Sequence, residues 1–173
     1  MPFIKPFLAL AVFLSLLFVI GCSNNAEDNQ INFGLIASEK SLPMDFDEVA
    51  FKRDTKPSFQ YLVKKVVNQS EFEETWNIYG FENKTPNVDF DEKDVIFIEV
   101  QESGSCPYKI KNIELNLDDK AITVPLSQPD GTCNSDATPR TFVIEVYKEV
   151  SRDLKSVVIV QSGAETTIPI DGN

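Results

Sequence analysis

Residues Ser70–Val100 read SEFEETWNIYGFENKTPNVDFDEKDVIFIEV, and a change of rhythm inside this stretch decides the fold. Phe72, Trp76 and Tyr79 stand at i, i+4 and i+7, one face of an α-helix. Ser70 followed by Glu73 makes a capping box, in which a hydroxyl and a carboxylate each accept a backbone N–H at the helix start. Gly80 stands where a left-handed residue ends a helix. The spacing predicts a helix over about 70–79, with Trp76, the sole tryptophan, as a core anchor. Asp94–Val100 (DVIFIEV) then runs almost continuously apolar, the pattern of a central strand.

Working outward, β patterns dominate on both sides. Upstream, Glu48–Arg53 (EVAFKR) alternates. Phe59–Val67 (FQYLVKKVV) alternates and then slips phase at Lys64-Lys65, which suggests a bulge or an edge. Downstream, Tyr108–Leu117 (YKIKNIELNL) alternates and Asp118-Asp119-Lys120 turns into Ala121–Leu126 (AITVPL). Pro125 has no N–H to donate, so this strand is expected at an edge or to end early. Gln128–Pro139 (QPDGTCNSDATP) is a loop of turn residues. Thr141–Tyr147 (TFVIEVY) and Ser156–Val160 (SVVIV) read as strands, Glu149–Leu154 as a helical turn, and Thr166–Ile170 (TTIPI) as a short edge strand. One helix followed by successive β segments is not a βαβ series. The expected class is α+β, a mainly antiparallel sheet with one principal helix.

The amino terminus has another character. Phe7–Ile20 (FLALAVFLSLLFVI) is 14 residues with a single polar one, Ser15, and Lys5 precedes it. A bilayer span needs about 20 apolar residues; a run this short fits the hydrophobic region of a secretory signal peptide. Val19-Ile20-Gly21-Cys22 (VIGC) resembles the lipobox of bacterial lipoproteins: an aliphatic residue, a small or aliphatic one, a small one, then cysteine. The resemblance implies cleavage of residues 1–21, diacylglycerol on the Cys22 thiol and a chain held to the membrane by acyl groups. Each buried methylene contributes about 0.8 kcal/mol, and two or more chains hold where one is marginal. It places the domain outside the cytoplasmic membrane, with a single-membrane Gram-positive cell favoured and an outer-membrane site the alternative. Residues 22–45 then form the lipidated cysteine and a tether, and 46–173 a single domain. Ser23–Gln30 (SNNAEDNQ) has the polar composition of a tether, whereas Ile31–Ala37 (INFGLIA) fits either a spacer or a first strand.

Three cysteines occur. With Cys22 acylated, Cys106 and Cys133 remain, and an oxidising exterior allows them to pair. That bond would tie SGSCPY to PDGTCNSDATPR. Tyr108 and Arg140 flank the junction, and both residue types are enriched in interface hot spots, so the two mark a candidate interaction patch. A bridge that merely staples a small domain is the plainer reading and the one preferred, with the patch as the alternative.

A looser resemblance covers Asn68 to Lys148. SEFEETWNIY, VDFDEKDVIFIEV, PYKIKNIEL and TFVIEVYK are similar to the C-terminal domain of the protease-complex subunit PrcB. The chain departs from that family in Ser105-Cys106-Pro107, where glycines are usual, and in its cysteine pair. The resemblance implies a non-enzymatic module that touches envelope proteins or cell-surface components, and it transfers no functional residue.

Composition excludes several chemistries. Histidine is absent, which removes Ser-His-Asp and Cys-His catalysis and the usual His-containing zinc sites. After removal of residues 1–21 the chain has 15 basic against 27 acidic residues, a charge of −12. Such a chain is repelled by nucleic-acid phosphates and anionic lipid headgroups. Asp89–Asp94 (DFDEKD) fails as a calcium loop, since its sixth position is Asp94 and not glycine. The sequence calls for no cofactor and no metal. The reading is a binding or interaction module. Its rivals are a solute receptor, for which the chain is short, and a hydrolase using two of Glu99, Glu102, Glu114 and Glu145. Such a pair must face across a cleft, about 5–5.5 or 6.5–9.5 Å apart.

Overall fold

Lys93–Glu102 (β3) is the strand around which the molecule is assembled. A computed structural model describes residues 29–41, 43 and 61–170; the leader, Cys22 and Glu48–Arg53 lie outside the described residues. β3 pairs antiparallel with Leu62–Val66 (β2) on one side and with Thr138–Tyr147 (β7) on the other, and Phe33–Glu39 (β1) adds to β7. This four-stranded sheet has the order β1-β7-β3-β2. Residues 95–98 of β3 are all fully buried, because both faces of the strand are covered. That is why its sequence is a continuous apolar run and not an alternation.

One face packs on helix α1, Gln69–Ile78. Phe72, Trp76 and Tyr79 meet Val95 and Phe97 of β3 and Val143 of β7. Ring centroids lie 5.5 Å apart for Phe72–Trp76, 4.3 Å for Trp76–Phe81 and 5.0 Å for Tyr79–Phe97. Trp76 Nε1 donates to the Asn83 carbonyl at 2.8 Å, so the indole is buried without an orphan donor. The expected helix and its glycine stop are present, Gly80 having φ +66°. The cap is two residues earlier than expected. Asn68, not Ser70, accepts the Glu71 N–H (2.9 Å), and Glu71 reaches back to Val67 N (3.4 Å).

The other face of the sheet, through Ile96, Ile98, Val100, Phe142 and Ile144, packs on a second sheet. That sheet has the order β4-β6-β8-β9, formed by Lys109–Ile110 (β4), Ala121–Ser127 (β6), Ser156–Gln161 (β8) and Ala164–Pro169 (β9). Glu114–Asn116 (β5) also pairs with β6. All pairings are antiparallel except β6 with β8. The fold is α+β, mostly antiparallel sheet, with α1 the one helix of seven or more residues among the described residues; Lys148–Ser151 (α2) is a single turn.

Two expectations are corrected. β6 is not an edge strand: β4 and β5 flank one side and β8 the other. Pro125 is tolerated because the flanking ladder breaks there. Ile110 pairs with Leu126 and Glu114 with Thr123, leaving residues 111–113 out of register opposite the proline. Nor does the domain begin at residue 46. Ile31 N donates to Ile113 O and Leu115 N to Asn29 O, and β1 then crosses to the other sheet and pairs with β7. Residues 29–39 fall inside the 22–45 tether bounds, and of the two readings left open for Ile31–Ala37 the strand is the one present; together they stitch the two sheets.

Candidate functional site

Two loops meet at one end of the sandwich, where β3 ends and β7 begins. Ser103–Cys106 closes a tight turn, with Cys106 N donating to Ser103 O at 3.1 Å. Residues 128–137 form the long connection from β6 to β7 and are exposed except at Cys133. Cys106 and Cys133 are joined by a disulfide, with Cα atoms 5.6 Å apart. The expected pairing is therefore present.

Polar contacts fix the two loops around that bond. Asp136 Oδ1 accepts from Gly104 N (3.1 Å) and Ser103 Oγ (3.4 Å), and its Oδ2 accepts from Thr138 Oγ1 (3.3 Å). Ser105 Oγ accepts from Asn134 N at 2.9 Å. A Cβ at position 104 would meet Asp136 Oδ2 at 2.6 Å and Thr138 Oγ1 at 2.9 Å, so both side chains would have to shift to admit one. Donation by the Gly104 N–H holds the Asp136 carboxyl below its ordinary range.

Beneath the loops lies an ion pair. Glu102 is fully buried in its side chain and Arg140 nearly so. Arg140 Nε and Nη2 both donate to Glu102 Oε1 (2.9 and 2.7 Å), while Glu102 Oε2 accepts from Tyr108 N (2.7 Å). Arg140 Nη1 donates to Ser38 O and Oγ of β1. A second polar layer adjoins it: Tyr61 OH donates to Gln161 Oε1 at 2.7 Å, and Gln161 Nε2 donates to Gln101 O at 3.0 Å. Burial raises the Tyr61 pKa, so the phenol stays protonated.

This geometry corrects the assignment of Tyr108 and Arg140 as a surface patch. Tyr108 is only 5% exposed, and Arg140 spends its donors on Glu102 and Ser38. Both support the loops from below; the surface itself is formed by Ser105, Asp130, Thr132, Asn134 and Asp136. The sequence signal that could have revealed this was the charge of Glu102, two residues along the same face of β3 from Val100.

Chain comparisons gave no match among protein-family models, curated proteins or solved structures.

The four carboxylates of the hydrolase reading do not converge. Glu99 is buried on the helix-facing side of β3, and Glu102 on the opposite face is held by Arg140. Glu114 is exposed on β5 of the other sheet. Glu145 is paired with Lys93 at 2.6 Å. Glu99 and Glu145 share a face, but Glu99 stands opposite Thr141 and Glu145 opposite Val95, four strand positions apart, or about 13 Å. Asp89 and Asp94 of the rejected calcium loop are structural. Asp89 Oδ1 accepts from Asp91 N (3.1 Å), and Asp94 Oδ2 accepts from Ser151 Oγ (2.6 Å), tying β3 to α2. No cluster of three metal-ligating side chains occurs among the described residues.

Proposed function

We propose that this protein is a lipid-anchored binding module that works outside the cytoplasmic membrane and presents its disulfide-tied loops to an envelope partner. One observation carries the reading: the Cys106–Cys133 bond uses two of the three cysteines, and the thiol left over is Cys22 of VIGC. Disulfides persist in oxidising compartments, and a lipobox cysteine delivers a chain to one. A long polar loop held by a bridge, a buried ion pair and four side-chain hydrogen bonds also suits recognition, since little order is lost when it binds.

Two measurements test the reading. Intact mass of protein purified from its native membrane is expected to match a chain beginning at Cys22 and carrying acyl groups. A free thiol at Cys22 with residues 1–21 still attached would refute the anchor. A photocrosslinker at Asn134 is expected to capture one defined envelope component, and reduction of the disulfide to diminish that capture. Equal capture from a crosslinker at Glu73 on the exposed face of α1 would refute the loops as the site.

A further inference from the structure

The path of the first described residues gives the domain a direction. Asn29–Ile31 runs antiparallel to β5, with Asn29 level with Leu115, near the start of β6 where Leu115 pairs with Ile122. From there the chain moves steadily towards the other end. β1 starts opposite Val146 and finishes opposite Thr141, and Lys40 Nζ reaches the Gly104 carbonyl at 3.4 Å. β6 runs the same way, from the Leu117–Lys120 turn to the disulfide-tied loop. Asn29 and the disulfide therefore lie at opposite ends of the sandwich. The five steps of β6 from Ile122 to Ser127 alone separate them by about 17 Å.

Seven residue steps lie between Cys22 and Asn29, and whatever their conformation they reach at most about 25 Å. Inverting the domain over a bilayer would raise Asn29 by the strand length plus the loops beyond it, consuming nearly all of that reach. We infer, resting on the lipid-anchor reading above, that the Leu117–Lys120 turn faces the bilayer and the disulfide-tied loops point away from it. The surface offered to a partner is then the membrane-distal one, and the partner lies out in the envelope, not in the lipid.

The test uses the full acylated protein in phosphatidylcholine vesicles containing a headgroup-labelled quencher. A fluorophore is introduced as a non-canonical amino acid at Leu117 or at Asp130, both exposed; Asp119 and Thr132 serve as a second pair. Quenching at 117 is expected to exceed that at 130 by at least twofold. Inserting 20 Gly/Ser residues between Asp28 and Asn29 is expected to erase the difference. Equal quenching at both positions, or more at 130, on protein that does associate with vesicles overturns the orientation and leaves the anchor reading intact. Failure to associate at all overturns both.

Discussion

Arg140 and Glu102 stand diagonally across the β3–β7 ladder, with guanidinium Nε and Nη2 both on Glu102 Oε1 at 2.9 and 2.7 Å. The pair closes one end of the core and joins three strands, since Arg140 Nη1 also holds Ser38 of β1. Breaking one partner strands a buried charge, at a typical cost of about 3–5 kcal/mol. Arg140→Met is therefore expected to lose about that much stability in urea unfolding. Arg140→Met with Glu102→Leu is expected to recover a large part of it. A double variant as unstable as the single one would show that the carboxylate was not the penalty.

The disulfide closes a long loop, its cysteines being 27 positions apart. Loop entropy assigns about 3–4 kcal/mol to such a bond. Replacing both cysteines by serine is expected to lower the denaturation midpoint accordingly while leaving far-UV circular dichroism unchanged, because the sheets are paired independently of the bridge. Loss of the β signal at low temperature would contradict this.

Helix capping offers a discriminating pair of variants. Asn68→Ala removes the side chain that accepts the Glu71 N–H and is expected to cost about 1 kcal/mol. Ser70→Ala, at the position sequence favoured for the cap, is expected to change stability by no more than a few tenths. The reverse order in thermal unfolding would reinstate the Ser70 box.

Asp136 gives a pH dependence. Its pKa is lowered by the Gly104 N–H first and by Thr138 and Ser103 hydroxyls further. A carboxyl depressed in the folded state contributes stability above its unfolded pKa of about 4 and loses it as pH falls through the folded value. Amide exchange at Gly104 and Asn134 is expected to rise below pH 4 in the parent protein. In Asp136→Asn that acid-dependent rise is expected to be absent. An unchanged acid response in the variant would remove Asp136 from the account.

Much of this was legible in the chain. α1, β3 and β7 announced themselves because each buries a face whose period is its own, 3.6 residues for Phe72, Trp76 and Tyr79, and an unbroken run for Val95–Ile98. The cap was misplaced because Asn68 and Ser70 both precede a glutamate at the right interval, and only backbone geometry selects one. Pro125 misled because an edge and an interruption in the neighbouring strand remove the same hydrogen bond. β1 stayed undecided because Ile31–Ala37 buries its residues only partly, as a strand at the sheet margin does. Arg140 read as a surface residue because a diagonal partner 38 positions away leaves no local trace.

The stitch made by residues 29–39 also has a mechanical meaning. A tug on the amino terminus against a partner gripping residues 128–137 pulls β1 from its first residue and β7 from its opposite end. The two strands are then loaded in shear, and the rungs between Phe33 and Glu39 resist together instead of unzipping singly. In force spectroscopy, pulling between Asn29 and Asp130 should give a higher rupture force than pulling between Asn29 and Tyr147, where β1 would peel from its partner one bond at a time.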